Sequence, residues 1–283
     1  MNNASYFTQT NVYFKKLARI ALKERFWKFL VFAAIIAVIV AAVVGGKMFE
    51  TYESTKSGFF TIASACIWIG IFNSIQSVCK EHEIIRAEYR SGMKLSSYIM
   101  ANVRWQFLLC LMESIIIFVL CIIFINFNSN GIIMWAYLEY FLSIFLMTFG
   151  ASVMGIMVSS IAGNPTTAMT IMPFVLILQL IMSGVLFELD GVSKIIAYIT
   201  FSKWGMSAFG SIADMNSPDL TLKLVDEVPE LGPMLNPRPE SMIDAAYDHD
   251  ASNLLIAWAA CLIITVVCIA VSIISLKLKN RDS

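Results

Sequence analysis

The stretch LLIAWAACLIITVVCIAVSIISL, residues 254–276, contains 23 residues and no charged side chain. An α-helix needs roughly 20 mostly apolar residues to cross the ~30 Å hydrocarbon core of a membrane. Five other runs are comparably apolar, and Glu113 is the only charged residue among them. These runs are Phe29 to Val44, Phe59 to Val78, Trp105 to Ile125, Tyr140 to Ile161 and Ala168 to Phe187.

The composition agrees with these runs. Of the 283 residues, 58% are hydrophobic and 14% are charged, and the mean hydropathy is +0.75, outside the usual balance of a soluble domain. Strands that cross membranes alternate polar and apolar positions over about ten residues, which would not produce runs of this length. The sequence therefore predicts an all-α integral membrane protein with six transmembrane helices.

Lysine and arginine set the predicted orientation, because they are retained on the cytoplasmic side of short loops. Fourteen of the 20 basic residues lie before the first span, between the second and third spans, or after the sixth span. We therefore expect both termini in the cytoplasm. The predicted segments are an amphipathic N-terminal segment (1–28), five spans with a connecting helix at 80–97 (29–187), an extracytoplasmic segment (188–251), and the sixth span with a basic tail (252–283).

The extracytoplasmic segment 188–251 holds 11 acidic residues, four basic residues and five of the seven prolines. Its first part is apolar and aromatic but too short for two spans. We expect short re-entrant helices there, followed by an acidic Pro-rich loop. A plain surface loop is the alternative, although such a loop has little use for Ile195, Ile196 or Trp204 in water.

Catalysis within the membrane is not indicated. The two histidines, His82 and His249, fall on opposite sides in the predicted topology, so they cannot share a metal or a proton transfer. No Gly-rich phosphate-binding loop with Lys and Ser or Thr is present in the sequence. We therefore expect no enzyme activity, metal or cofactor on this chain, and any nucleotide energy must come from another chain.

The most polar helical segment is EIIRAEYRSGMKLSSYIMA, residues 83–101, between the second and third spans. On a helical wheel Ile85, Tyr89 and Met93 share one face, while the charged side chains lie elsewhere. Such an amphipathic helix at the cytoplasmic surface is suited to docking a soluble protein. A solvated helix that merely stays at the membrane interface is the alternative.

Three motifs resemble those of ABC-2 type transporter permeases, in particular the ABCG/White branch and its bacterial relatives. The first is Lys80-Glu81 followed by Arg86, Glu88, Gly92-Met93 and Tyr98. The second is SSIAGNPTTAMTIMPFVLILQLIMSGVLFEL, residues 159–189, and the third is FSKWGMSAF, residues 201–209. The resemblance covers about residues 15 to 278.

The resemblance implies a permease subunit that pairs with a second permease subunit, as a homodimer or a heterodimer in the membrane lipid. A separate ABC ATPase subunit would bind ATP and Mg²⁺ and drive the export of an amphipathic or hydrophobic compound, such as a lipid, a peptide or a drug-like molecule. The residues that would couple to that ATPase are Glu81, Arg86, Glu88, Arg90 and Asn164.

By position in the family, the substrate path would be lined from the second and fifth spans. The matching residues are Cys66, Ile69, Asn73, Ile177, Leu180 and Ile181. Val185 and Leu186 stand where relatives carry a hydrophobic gate.

Polar residues within the spans are expected to have partners, because isolated polar groups are costly in hydrocarbon. We expect Glu113 to be a structural hydrogen-bonding group, with a role in transport as the alternative. Asn73 and Gln179 could bond to each other or across the dimer. The small residues Ala151, Gly155 and Ser159, spaced by four, predict close packing of the fourth span.

A second class of function stays open from sequence. The chain could be a non-transporting immunity or sensory component that binds an extracellular ligand through residues 189–251. An ion-driven carrier is disfavoured, because a lone Glu113 and no paired interrupted helices offer little coupling machinery.

Overall fold

The computed structural model describes residues 5–24, 26–127, 131–187, 189–217 and 244–281. Over these residues the chain is helical and contains no strand. Short 3-10 turns lie at Cys79–Glu81 and Ala245–Tyr247. The α-helices are α1 (Tyr6–Lys23), α2 (Trp27–Val44), α3 (Tyr52–Ser74), α4 (His82–Arg90), α5 (Leu95–Phe124), α6 (Ala136–Ile161), α7 (Pro165–Ile181), α8 (Val192–Ala197), α9 (Phe201–Ile212) and α10 (Ala251–Arg281).

The all-helical prediction is confirmed for the described residues, but the count of six spans is not. Five helical stretches of this part of the chain are long and apolar enough to cross a membrane. They are α2, the stretch Tyr52–Arg90 that begins with α3, and the helices α5, α6 and α10. The remaining apolar helix, α7, has 17 residues. At 1.5 Å per residue it is about 25 Å long, which is less than the ~30 Å hydrocarbon core.

The predicted fifth span, 168–187, ends early because a turn interrupts it. The Ser183 hydroxyl donates to the carbonyl of Leu180 at 2.7 Å and accepts from the Val185 amide at 3.2 Å. Gly184 follows with φ +75°, a conformation that residues with a Cβ rarely adopt. These groups end the helix although the side chains around them remain apolar.

The connecting segment predicted as one helix over 80–97 is divided. Helix α4 ends at Arg90, Gly92 turns the chain with φ +99°, and residues from Leu95 onward belong to α5. Helix α5 thus begins ten residues before the apolar run at Trp105. Its early turns are held by protein contacts, since Tyr98 is fully buried.

Helices α3 and α6 form the centre of the bundle and approach closely through small residues. A Cβ on Gly70 would lie 2.3 Å from the Thr148 carbonyl oxygen, and the Ser74 hydroxyl donates to the Ser152 carbonyl at 2.6 Å. Ser159 accepts hydrogen bonds from the backbone amides of Val78 and Cys79, in the segment that follows α3, at 3.0 and 3.1 Å. The predicted packing role of the small-residue stripe on α6 is confirmed.

Contacts divide the bundle into two ends. The α4 end holds α1, α4, the starts of α5 and α7, and the ends of α3, α6 and α10. The α8 end holds α8, α9 and the starts of α3, α6 and α10, where the Phe59 ring stacks on Tyr140 and Phe209. This assignment fixes which predicted site residues can meet.

Helices α8 and α9 occupy the segment predicted to be re-entrant. Most of α9 is buried, whereas α8 exposes apolar side chains. Entry of these helices into the membrane stays a prediction. The acidic Pro-rich loop falls largely at residues 218–243, outside the described residues.

Candidate functional site

Helix α4 is short and presents two different faces. Ile85 is fully buried against the bundle, whereas Glu83 and Ile84 are exposed, Ile84 by 48%. Among the predicted coupling residues, Arg90 is exposed and Arg86 is half-buried. The exposed face of α4, Glu83, Ile84, Ala87 and Arg90, is called the outer face of α4 below.

Two predicted coupling residues point inward instead. Glu88 accepts a hydrogen bond from the Lys16 ammonium group at 3.1 Å, and Glu81 lies 4.0 Å from the same nitrogen. Glu81 also accepts from the Tyr98 hydroxyl at 2.9 Å. One lysine of α1 and one tyrosine of α5 thus hold both ends of α4, so a displacement of α4 acts on α1 and α5.

Tyr13 of α1 completes this cluster. Its ring meets the Tyr98 ring edge-on, with 5.9 Å between the centroids. Burial raises the pKa of Tyr13 to about 12, and the negative charge and hydrogen bond of Glu88 add to the effect. The neutral phenol therefore stays beside the Glu88 carboxylate throughout the physiological pH range.

The turn between α6 and α7 lies at the same end of the bundle. Asn164 caps α7 by accepting from the Thr167 amide at 2.8 Å, and Pro165 occupies the first turn, where its missing N–H costs nothing. The side chain of Asn164 is exposed. This predicted coupling residue therefore has a capping role and also lies at the surface.

Lys279, near the end of α10, fixes this turn from the other side. Its ammonium group donates to the carbonyls of Ser160, Ile161 and Ala162 at 3.0, 2.5 and 2.7 Å. The last carbonyls of a helix lack intrahelical donors and carry partial negative charge, so a cation is favourable there. The end of α10 and the α6–α7 turn are thereby joined.

Glu113 has a hydrogen-bonding partner, as the sequence argument expected without naming one. It is fully buried, and the Asn73 amide nitrogen donates to both of its carboxylate oxygens at 2.6 and 2.8 Å. The amide oxygen of Asn73 is buried and has no hydrogen-bond partner in the described part of the chain. The pair joins α3 to α5 within one protomer.

Gln179 does not bond to Asn73. Its amide oxygen accepts from the Ser202 backbone amide at 3.1 Å, and its nitrogen lies 3.6 Å from the Met154 sulfur. Asn73 lies near the α4 end of α3, while Gln179 lies near the opposite end of α7, so the two are separated in depth. The expectation of a direct bond within the protomer is wrong.

The predicted substrate-path residues are found in different surroundings. Cys66 and Ile69 are fully buried among the helices of this protomer, and Asn73 is half-buried. Ile177 is 52% exposed, while Leu180 and Ile181 are half-buried. Their assignment to a path stays a prediction, and Ile177 is the member that this protomer leaves most open.

The predicted gate residues follow the turn that ends α7. Val185 is half-buried against the core, and Leu186 is 52% exposed. Their role as a gate also stays a prediction.

Sequence reasoning did not find Lys16 and Lys279 as the residues that hold the α4 end together. Lys16 lies 72 residues before Glu88, and Lys279 lies 119 residues after Ser160. In the sequence, both residues serve only as signals of membrane orientation. An isolated lysine in a basic segment carries no local signal of its partner.

The apolar helices of this bundle, with a polar cluster at one end, define a helical integral membrane protein. The family model described as ABC-2 type transporter matches residues 15–213, more than half of the chain. The protein therefore belongs to the ABC-2 type transporter family and is a membrane component of an ABC transporter. The family usually works with an ATPase partner. No curated protein matches the chain.

Proposed function

We propose that this chain is the permease subunit of an exporter and moves an amphipathic or hydrophobic compound while a separate subunit hydrolyses ATP. The chain itself would carry no ATPase site and would not be an enzyme alone. A second permease subunit, identical or different, would complete the path. The complex would lie in a cell membrane with both termini of this chain in the cytoplasm. Membership of the ABCG/White branch is part of the proposal.

The observation that carries the proposal is the outer face of α4. Ile85 packs the helix onto the bundle, and Glu81 and Glu88 hold it through Tyr98 and Lys16. A helix held firmly from behind, with its other side exposed, suits the transmission of a push from a soluble partner. Glu81 and Glu88 would then transmit this push, while Glu83 and Ile84 would touch the ATPase.

The α6–α7 turn gives a second place for the ATPase to act. Lys279 ties the turn to α10 through three carbonyls. Pressure at Asn164 would therefore reach α6, α7 and α10 together, while pressure on α4 would reach α1 and α5. Rigid-body movement of two such groups of helices is a common form of switching transition.

The proposed cytoplasmic side is supported by where the basic segments meet. Lys16 of the N-terminal segment contacts Glu88, and Lys279 of the C-terminal segment contacts the α6–α7 turn. The N-terminal and C-terminal basic segments and the connecting segment thus lie at one end of the bundle. Because basic residues tend to be retained on the cytoplasmic side, this arrangement supports the proposal that this end of the bundle faces the cytoplasm.

The apolar surface of α7 supports the proposed second permease subunit. Phe174 is 70% exposed, and Ile177 and Leu178 are 52% and 43% exposed. A slot lined by such side chains favours apolar or amphipathic cargo. Cys66 and Ile69 could line it only when the helices of the protomer move apart.

Affinity purification in mild detergent tests the proposal, with Glu83→Arg as the docking variant and Glu53→Arg as its control. Both glutamates are exposed and lie in the first turn of a helix, at opposite ends of the bundle. Charge reversal therefore has a similar cost for each helix. A P-loop ATPase should co-purify with the native protein and with Glu53→Arg, and much less with Glu83→Arg.

If no ATPase accompanies the native protein while its oligomer is preserved, the exporter proposal fails. The immunity or sensory alternative would then lead, with residues 189–251 as the binding surface. If both variants retain the ATPase equally, the subunit docks somewhere other than the outer face of α4.

A further inference from the structure

A cavity of about 330 Å³ opens at the α8 end of the bundle, far from α4. Its walls come from the start of α3, the segment that follows α7, α8, α9 and the 3-10 turn at Ala245–Tyr247. Three lysines line it, each from a different helix: Lys56 from α3, Lys194 from α8 and Lys203 from α9. The fold thus gathers in one cavity three cations that are far apart in the sequence.

These lysines keep their charge available. In the described ranges of the chain no carboxylate oxygen lies within 4.0 Å of any of the three ammonium groups. Among the described residues that line the cavity, Asp244 is the acidic one, so the described lining carries a net charge of +2. The cavity therefore attracts an anion.

Aromatic rings hold two of the ammonium groups without neutralising them. The Lys203 nitrogen lies 3.9 Å from the centroid of the Tyr198 ring, and the Lys56 nitrogen lies 5.6 Å from that of Tyr52. Cation–π contacts of this kind restrict a side chain but leave its N–H groups free for hydrogen bonds to an anion. Lys203 is also half-buried, which lowers the entropy lost when a ligand binds.

An apolar surface adjoins the cationic cavity. On and just after α8, Val192, Ile195 and Ile199 are 72%, 69% and 69% exposed. Lys194 lies between the first two in sequence and belongs to the cavity lining. A ligand that fits both surfaces has an anionic group for the lysines and hydrocarbon for α8. A membrane lipid with an anionic head group has this form.

We propose that this cavity binds the phosphate of an anionic membrane lipid, with Lys56, Lys194 and Lys203 around the phosphate and the acyl chains along α8. The volume suits a phosphate with a small head group, at the lower end of the usual range for ligand pockets. This site is separate from the α4 end, and its existence does not depend on the proposed transport function.

Native mass spectrometry of the purified protein in detergent tests the proposal, with phosphatidylglycerol and phosphatidylcholine as probes. The variants are Lys194→Gln, Lys203→Gln and the double variant. Lys47→Gln is the control, because Lys47 is an exposed lysine at the same end of the bundle and does not line the cavity. Thermal unfolding checks that each variant is folded.

The dissociation constant of the first phosphatidylglycerol bound should rise about fivefold for each single variant and about 25-fold for the double variant. It should be unchanged for Lys47→Gln, and phosphatidylcholine should bind more weakly than phosphatidylglycerol to the native protein. Equal binding of the two lipids, or equal losses in the control, would overturn the proposal.

Inorganic phosphate distinguishes a lipid from a free phosphate compound. If the lipid is the ligand, millimolar phosphate should leave phosphatidylglycerol bound, because the contact with α8 adds to its affinity. Full displacement at that concentration would overturn the lipid assignment. Failure of the transport proposal alone would leave these binding results unchanged.

Discussion

Replacing Glu113 by Gln and by Leu should separate a structural role of this buried carboxyl group from a role of its charge. In Glu113→Gln the amide oxygen can still accept from the Asn73 nitrogen, which now reaches both carboxylate oxygens at 2.6 and 2.8 Å. If the Asn73 amide rotates so that its nitrogen faces only the remaining oxygen, the new amide nitrogen can donate to the buried oxygen of Asn73, which has no partner in the described part of the chain. The Gln variant thus offers a reciprocal pair of hydrogen bonds.

The expected magnitudes follow from these contacts. Glu113→Leu removes the acceptor of the Asn73 nitrogen, which should lower the free energy of unfolding by about 1–3 kcal/mol. At about 2–4 °C for each kcal/mol, the melting temperature should fall by about 2–12 °C. Glu113→Gln should stay within about 2 °C of the native protein.

Thermal unfolding can be followed with a dye that fluoresces when it reacts with thiols, because all six cysteines are buried and react only after unfolding. Glu139→Gln is the matched control, since Glu139 is also fully buried. Glu139 accepts from the backbone amides of Ile132, Ile133 and Met134, and no acceptor is described for an amide nitrogen there. The free energy of unfolding of this variant should be lower than that of the native protein by about 1.5–3 kcal/mol.

Transport should remain near normal in Glu113→Gln. A melting temperature as low as that of Glu113→Leu would refute the hydrogen-bonding account and show that the charge itself stabilises the fold. Loss of transport with an unchanged melting temperature would instead assign Glu113 a role in transport.

Three further substitutions test other contacts by the same unfolding assay. Tyr98→Phe removes the hydroxyl that donates to Glu81 at 2.9 Å and should cost about 1 kcal/mol; an unchanged melting temperature would contradict this bond. Gly70→Ala places a Cβ 2.3 Å from the Thr148 carbonyl oxygen and should cost about 1–3 kcal/mol; a neutral result would mean that α3 and α6 can separate freely. Lys279→Met removes the cation at the end of α6 and should lower the free energy of unfolding by about 1 kcal/mol. The same variant should also co-purify with less ATPase. Native behaviour in both the unfolding and the co-purification assay would exclude a role for this turn.

The sequence predicted the helical class well because an apolar run of membrane length has few alternative structures. It failed where turn chemistry lies inside such a run. Ser183 and Gly184 end α7 early, yet both are small residues that also occur within transmembrane helices. The extension of α5 to Leu95 was missed for the opposite reason, since buried tertiary contacts keep a polar segment helical.

The candidate site was predicted in part. The sequence predicts that Glu113 has a hydrogen-bonding partner, because a buried carboxyl group needs one. It does not predict that this partner is Asn73, because that depends on how α3 packs against α5. The sequence placed Glu81 and Glu88 on a helix but could not tell which charges face Lys16 and which face outward. That distinction comes from packing between segments far apart in the chain.

A single surface cysteine tests the central claim, that the outer face of α4 contacts an ATPase, most directly. Because the six native cysteines are buried, Ala87→Cys provides one accessible thiol on that face, and Ser57→Cys provides one toward the α8 end as the control. Each thiol would carry a benzophenone crosslinker in native membranes. The account predicts a crosslinked P-loop ATPase from position 87 and none from position 57. Crosslinking of the ATPase from position 57, or from neither position although it co-purifies, would contradict the account.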